Sequence, residues 1–557
     1  MLQKNVSRKE RRYMTYKQRV LHFFRSLAQA ALISIMLASC GGDGDDPPAS
    51  PEPQTMTTTT AASVPVEKSC SNCGALDAHT YSGSGIGVWE SVNSTSSAVE
   101  VPISISGLNG QEVTLVFTNQ TGTPQVMPTI AVAARNYSFV AEQLRLDDST
   151  EALKRRISNF NRDGWRVHAK EQSYAPRYSL SPSRLDNGSV KIWYLADDTT
   201  RSTTLVRKLM TADGTIVNFW VETTELDPTK VSQAVLDTLA GDFVSPGKIY
   251  DMLNSIGGPV WGPHSYSDLI SGHDQPIDIV IAKFTKGSEM AGYFYARNAI
   301  KRESEPYSNE SVSLYLNSEE MYQSGTYGLN YMRSAMAHEA MHMQNFYRRG
   351  ISKGPEYQFE IWLEEATAMM FEDFVSQTIE KNFNTIRDVR FTNYVRFGGR
   401  IHNCSLFDWD KASTCNGYSI WGTLGGFLNR QLGLSFYKHL LTNVSSTDSM
   451  AVLESSVRDR AANSSFQQEL RHFAATSGAL MKEPAPVGFG FPLREEGGFV
   501  LPEINAGAFL NDRSQLSMVP AELHPYANVP VVREHVKGMY SETVKIPPHS
   551  SLSVVIQ

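Results

Sequence analysis

Short runs of alternating hydrophobic and polar residues occupy the region that follows the N-terminal segment. Residues 99–105 and 112–117 alternate in this way, and a glycine-containing break at 107–110 separates them. Alternation with a period of two predicts strands, and short strands between turn residues are typical of a small β-sandwich. We therefore expect a β-sandwich-like N-terminal domain over residues 69–145.

The hydrophobic pattern changes after about residue 201. Mainly apolar runs at 216–221 and 277–282 predict buried strands, and residues 311–316 predict another strand. Helical periodicity around 231–243 predicts a helix between the first two of these strands. Buried strands that alternate with helices indicate a domain that mixes both kinds of element.

Long helices are predicted for residues 328–349 and 358–380, and further helices follow to about residue 480. From residue 486 the chain returns to Gly, Pro and short strand-like runs. The sequence thus predicts an α+β fold with a main domain at 201–485, whose C-terminal part is mainly helical, and a small β domain at 486–557. Residues 146–200 remain an unassigned connecting region.

The N-terminus carries the features of an export signal. Residues 1–25 contain eight basic side chains and one acid, and an apolar run at 27–37 leads into Leu37-Ala38-Ser39-Cys40. A basic segment, a short apolar core and small residues before the cut are the parts of a secretory signal. The last four residues resemble a bacterial lipobox, in which the cysteine becomes lipid-modified. The alternative is an ordinary signal peptide with an incidental cysteine.

The lipobox resemblance implies a signal peptide at residues 1–39 and a lipid-modified Cys40 that carries acyl chains such as palmitate. Residues 40–68 are rich in Gly, Asp, Pro and Thr, which predicts a flexible tether. The expected location is the bacterial cell envelope outside the cytoplasm, on the outer membrane in a Gram-negative host. The membrane would then be a partner through the lipid anchor.

The composition narrows the class of protein further. The chain has 557 residues, of which 41% are hydrophobic, and a formal net charge of -7. This composition can fill cores and excludes wholesale disorder. The acidic balance argues against a nucleic-acid partner, which calls for a basic face. No apolar run reaches the roughly 18–20 residues of a membrane-spanning helix.

Four cysteines remain after Cys40 is assigned to the anchor. Oxidising surroundings outside the cytoplasm favour disulfides. A bond between Cys404 and Cys415 would close a short loop and contribute about 3 kcal/mol. Cys70 and Cys73 form a C-x-x-C pair, for which we expect a small structural disulfide, because no βαβ pattern of a redox motif surrounds it.

The candidate chemistry begins with His338-Glu339-Ala340-Met341-His342, an H-E-x-x-H motif within a stretch free of Gly and Pro from 329 to 349. Residues four apart on a helix lie on the same face, so His338 and His342 can bind one Zn²⁺ together. Glu339 lies beside them, where it can act on a water molecule. The alternative is a solvated helix with a local Glu–His pair.

A second helical segment carries carboxylates 23 positions after His342. It reads Ile361-Trp362-Leu363-Glu364-Glu365-Ala366 and continues to Asp373. A catalytic zinc site needs a third protein ligand and an open position for water. Acids on such a helix commonly face solvent, but the preceding H-E-x-x-H motif favours Glu365 as a ligand.

Together the two segments resemble the gluzincin metallopeptidases, in which H-E-x-x-H is completed by the Glu of a W-L-N-E-G-like motif. Within this group they are most similar to the hyicolysin family of secreted bacterial peptidases. Trp362, Leu363 and Glu365 match the motif. Glu364 replaces its Asn and Ala366 replaces its Gly.

The resemblance implies a zincin-like catalytic domain that hydrolyses peptide or protein substrates with Zn²⁺ as cofactor. The implied zinc ligands are His338, His342 and Glu365, with Glu339 as general base. Glu372, seven residues after the ligand Glu, and Asn345, after the second His, match further positions close to the ligands.

Gluzincins often add a Tyr or His that stabilises the oxyanion. Tyr418 is the candidate here, and His402 and Tyr394 are its rivals. The strand at 311–316 is expected to be the edge to which an extended peptide adds.

Two functions therefore follow from the sequence. The first is a lipid-anchored zinc metalloendopeptidase outside the cytoplasm. The alternative is a catalytically inactive zincin-like surface lipoprotein that binds a protein or polymer partner. Zinc content and the direction in which Glu365 points discriminate between them.

Overall fold

The computed structural model describes residues 62–64, 75–76, 81–82, 85–131, 148–170, 185–285, 290–407, 409, 415–514, 516 and 518–557. These residues belong to one compact unit, Thr59–Gln557. The predicted signal peptide, Cys40, Cys70 and Cys73 lie outside the described residues. Within the described ranges, no helix combines the length and the apolar character needed to cross a membrane.

The strands range from two-residue bridges to a pair of strands about twenty residues long. They are β1 Ala62–Val64, β2 Ala75–Leu76, β3 Tyr81–Ser82, β4 Gly87–Asn93, β5 Val99–Asn119, β6 Gln125–Val126, β7 Val190–Tyr194, β8 Thr200–Met210, β9 Ile216–Glu222, β10 Ile277–Ala282, β11 Gly292–Phe294, β12 Val312–Asn317, β13 Arg494–Glu496, β14 Phe499–Leu501, β15 Glu522–Leu523, β16 Asn528–Ile546 and β17 Ser550–Ile556.

The helices are concentrated in the second half of the chain. They are α1 Asp148–Arg162, α2 Gln233–Val244, α3 Ile249–Gly257, α4 Ser318–Gln323, α5 Gly325–Asn345, α6 Ile361–Ile379, α7 Thr392–Arg396, α8 Gly398–Ile401, α9 Gly417–Thr442, α10 Ser449–Arg460 and α11 Phe466–Ala479. The architecture is therefore α+β, with a mainly helical region after α5.

A six-stranded sheet forms the first layer of the main domain, in the order β11-β12-β10-β9-β8-β7. Strands β9, β10 and β12 run parallel and are almost wholly buried, which confirms the two predicted buried strands and the third predicted strand. The expectation that β12 is the open edge is wrong, because β11 pairs with it antiparallel. Strand β11 was missed because its three residues are too few to show a periodic pattern.

Helices α5 and α6 confirm the two long helices predicted from periodicity. Helix α6 contacts both α5 and α9, and α5 also contacts β11 and β12. Four methionines, Met336 and Met341 on α5 and Met369 and Met370 on α6, are buried in the main hydrophobic core. The unbranched Met side chain adapts to irregular gaps between helices.

The N-terminal and C-terminal β regions form one sheet and not two separate domains. Its order is β1-β4-β17-β5-β16, and Ile556 pairs with Val113. Strand β5 also runs through the break expected at 107–110, where Gly107 and Gly110 adopt positive φ angles. The β-sandwich expectation is corrected accordingly, since pairing across more than 400 residues leaves no local sequence signature.

The unassigned region 146–200 contains structure that belongs to the main domain. Helix α1 is followed by a 3₁₀ helix at Gly164–His168, whose Trp165 is fully buried in the main core. Strand β7 extends the six-stranded sheet.

Further along the chain, Cys404 and Cys415 form a disulfide with a Cα–Cα distance of 5.7 Å.

Candidate active site

Helix α5 presents both histidines of the H-E-x-x-H motif on one face. The ring centroids of His338 and His342 lie 4.6 Å apart. The segment around them is helical because it lacks Gly and Pro, and it is buried because α5 lies against the sheet on one side and α6 on the other. His338 is only 6% exposed.

Helix α6 brings Glu365 to the two histidines. Its Oε2 lies 3.2 Å from His338 Nε2 and 3.7 Å from His342 Nε2. Three ligands that each hold a zinc ion at about 2.0–2.1 Å in tetrahedral geometry lie about 3.3 Å from one another. The three side chains therefore form a group that can hold a metal ion.

A second carboxylate orients each histidine from behind. Glu372 Oε1 lies 2.6 Å from His338 Nδ1, and Glu364 Oε1 lies 3.0 Å from His342 Nδ1. These contacts turn both Nε2 atoms towards Glu365, as carboxylates hydrogen-bonded to the ligand imidazoles do at zinc sites. Glu364, which departs from the family motif, thus supports His342 from the side opposite Glu365.

Further polar residues hold these outer carboxylates. The Nδ2 group of Asn345 donates to Glu364 Oε1 at 3.0 Å, and Arg348 in turn donates to Asn345 Oδ1. Arg390 donates to Glu372 Oε1 at 3.2 Å. Glu372 therefore contacts His338 directly, whereas Asn345 lies one layer further out and contacts Glu364.

The electrostatics of the site favour bound positive charge. Burial lowers the pKa of His338, but its hydrogen bonds to Glu365 and Glu372 outweigh burial and raise that pKa to about 9. Burial raises the pKa of Glu372, yet Arg390 and His338 hold it below the ordinary value. A site that retains a proton so strongly carries surplus negative charge, which a divalent cation neutralises.

The three side chains His338, His342 and Glu365 are called the metal group below. Glu339 lies between this group and the edge strand β11. Its Oε2 accepts a hydrogen bond from the backbone N–H of Phe294 at 2.8 Å. Burial raises the pKa of Glu339 above its ordinary value. A buried carboxylate with a raised pKa, fixed in this position, is suited to take up and release protons.

Tyr418, at the start of α9, lines the same cleft. Its ring centroid lies 6.4 Å from that of His338. Burial raises the pKa of Tyr418 well above its ordinary value, so its hydroxyl stays protonated and can donate a hydrogen bond. The other two candidates, His402 and Tyr394, do not line the cleft. The Tyr394 hydroxyl instead lies 3.0 Å from His402 Nδ1.

The cleft has a volume of about 290 Å³. Its walls include two features that sequence reasoning missed. Tyr331 lies seven residues before His338, which is two helical turns and therefore on the same face of α5. Helix α1 also lines the cleft, from a region that the sequence left unassigned.

Two known protein families match parts of this chain. The family described as Peptidase M30 matches residues 197–557. The chain belongs to the peptidase M30 family. Peptidase M30 is the hyicolysin family of metallopeptidases, so the match confirms the resemblance to that family. Membership of a peptidase family indicates that the substrates are peptides or proteins.

A second family, described as a domain of unknown function, matches residues 68–132. Helix α1 lies outside both matched ranges. No curated protein matches the chain.

Proposed function

We propose that this protein is a zinc metalloendopeptidase that works outside the cytoplasm on a lipid anchor. The observation that carries the proposal is the convergence of His338 Nε2, His342 Nε2 and Glu365 Oε2 in a cleft that also contains Glu339. Three such ligands beside an open cleft are the arrangement of a catalytic zinc site.

The donor set fits Zn²⁺. Two imidazoles and one carboxylate suit this ion, and Glu364 and Glu372 behind the imidazoles keep each Nε2 directed forwards. When bound, zinc polarises the scissile carbonyl and lowers the pKa of a coordinated water.

The proton transfers fall to Glu339. Its carboxylate takes a proton from the attacking water and passes it to the amine nitrogen that leaves. The N–H of Phe294 fixes one carboxylate oxygen and leaves the other for this exchange. The Tyr418 hydroxyl donates a hydrogen bond to the oxygen on which negative charge develops.

The edge strand β11 orients the substrate. Asn317 N–H donates to Ala291 C=O at 2.8 Å, so Gly292 and Phe294 direct their backbone groups away from β12 and towards the cleft. An extended peptide can pair with Gly292 there. A Cβ at position 292 would lie 2.7 Å from the backbone carbonyl oxygen of Tyr315 and 3.1 Å from Glu339 Cγ. Glycine therefore permits the close approach of β11 to β12 and to Glu339.

The test is casein hydrolysis by protein that lacks residues 1–40. Glu339→Gln should abolish hydrolysis while zinc stays bound, because none of the three proposed ligands changes. Glu356→Gln makes the same charge change at an exposed residue and should retain full activity. Hydrolysis that survives both chelation and Glu339→Gln would overturn the mechanism. Stoichiometric zinc without turnover would favour the binding lipoprotein instead.

The lipid anchor rests on the sequence Leu37-Ala38-Ser39-Cys40. We expect the full chain, expressed in a bacterium, to incorporate labelled palmitate and to fractionate with the envelope. Cys40→Ser should abolish both. Palmitate incorporation that persists in this variant would contradict Cys40 as the anchor.

A further inference from the structure

Helix α1 presents one face to the active-site cleft. Its cleft-lining residues are Lys154, Ile157, Ser158, Asn161 and Arg162. Their spacing of three and four residues corresponds to a single helical face that extends over two turns. The helix therefore forms a continuous wall beside the metal group.

The wall is held firmly in place. The Asn161 side chain donates to Phe294 C=O at 2.9 Å and accepts from the Ala296 N–H at 2.7 Å, which joins the helix to the edge-strand region. Phe160 packs edge-on against Tyr295 with ring centroids 5.3 Å apart. A wall that is fixed to the edge strand keeps a constant distance from a peptide bound there.

The ionisable side chains of this wall are cationic. Lys154 and Arg162 face the cleft, whereas the acids that line the cleft, Glu339, Glu364, Glu365 and Glu372, all belong to the metal group or its immediate supports. Arg390 also lines the cleft, but it is buried against Glu372. The cleft thus divides into an acidic metal side and a basic α1 side.

Among the cations of α1, Lys154 lies near Tyr418. Its Nζ is 5.6 Å from the ring centroid of Tyr418. Its ion pair with Glu151 is long, at 3.4 Å, and the two side chains are 24% and 29% exposed. Such a pair is weak and exchanges easily for another carboxylate.

From this arrangement we infer that the cleft selects peptides with an acidic side chain beside the scissile bond, and that Lys154 is the residue that recognises it. The inference rests on the proposed peptidase function. An Asp or Glu side chain of the substrate replaces Glu151 as the partner of the Lys154 ammonium.

The experiment uses the full chain in detergent, loaded with zinc, on a mixture of peptides of known sequence. Mass spectrometry should find Asp and Glu enriched at one position within two residues of the cleaved bonds. Synthetic peptides with Glu or Gln at that position should then differ about tenfold or more in kcat/KM. Lys154→Met should reduce this ratio to about one. Lys154→Glu should reverse the charge preference, so that a peptide with Lys at that position is cleaved faster than the peptide with Glu.

Arg155→Met is the matched control, because it removes one positive charge from the same helix at a position that does not line the cleft. It should keep the wild-type ratio. Binding supplies a readout without turnover, since Glu339→Gln should bind the Glu peptide about tenfold more tightly than the Gln peptide. The added substitution Lys154→Met should remove this difference.

Cleavage without acidic preference, or a preference that survives Lys154→Met, would overturn this inference and leave the peptidase intact. A zinc-loaded wild type that cleaves no peptide would overturn the proposed function and this inference with it.

Discussion

Glu372→Gln is the substitution that best tests how the metal group is supported. Glu372 is 2% exposed as a side chain and contacts His338 Nδ1 at 2.6 Å and Arg390 at 3.2 Å. Glutamine keeps the shape and one accepting oxygen but removes the negative charge. The short contact to His338 therefore loses its ionic character, and the imidazole loses the group that fixes its orientation.

We expect the dissociation constant for zinc to rise about 10- to 100-fold, which corresponds to about 1.4–2.7 kcal/mol. Arg390 also loses its buried partner. Removal of one partner of a buried ion pair costs about 3–5 kcal/mol, and the remaining glutamine oxygen keeps the loss at or below the lower figure. The metal-free protein should thus unfold at lower denaturant concentration than wild type.

The matched comparison is Glu364→Gln, because Glu364 supports His342 in the same way. Its side chain is 21% exposed and its contact to His342 Nδ1 is longer, at 3.0 Å. Solvent screening weakens this contact, so we expect a loss of zinc affinity of less than about tenfold. Competition with a chromophoric chelator measures both dissociation constants, and circular dichroism checks the fold. Affinity within twofold of wild type for Glu372→Gln, or a larger loss for Glu364→Gln, would refute the reasoning.

Three further predictions follow from the structure. Arg430→Met should lower the free energy of unfolding by about 3–5 kcal/mol in urea titrations, because its ion pair with Asp373 is wholly buried; a loss below about 1 kcal/mol would contradict this. Gly292→Ala should lower kcat/KM without loss of bound zinc, because its Cβ would clash with the Tyr315 backbone oxygen, shift β11 and crowd Glu339; unchanged kinetics would exclude β11 from catalysis. Burial lowers the pKa of His402 to about 4, below the unfolded value of about 6.5, so stability should fall as the pH drops from about 6.5 towards 4. Thermal melts should show this slope flattened in His402→Gln, and an unchanged slope would argue against it.

Local periodicity predicted much of the main domain. Strands β9, β10 and β12 and helices α5 and α6 follow from apolar runs and helical spacing, which depend on neighbours a few residues apart. The shared face of His338 and His342 follows from the same local rule. The resemblance to a peptidase family also followed from two short segments, because the candidate metal ligands and their neighbours lie within them.

Tertiary structure decided what lies around those ligands. The sequence did not reveal that Glu372 contacts the imidazole of His338 and Glu364 that of His342. These contacts depend on how α6 packs on α5. The choice of Tyr418 over His402 and Tyr394 as the cleft residue likewise depends on the packing of α9.

The sequence by itself determined the order of the central elements and the residues able to bind a metal. Only the tertiary structure decided that β11 is the edge strand, that α1 is the cleft wall and that β5 pairs with β16 and β17. The physical reason is the range of the interactions. Helical and strand periodicity arise between near neighbours, whereas strand pairing across the length of the chain is selected by the packing of the whole unit.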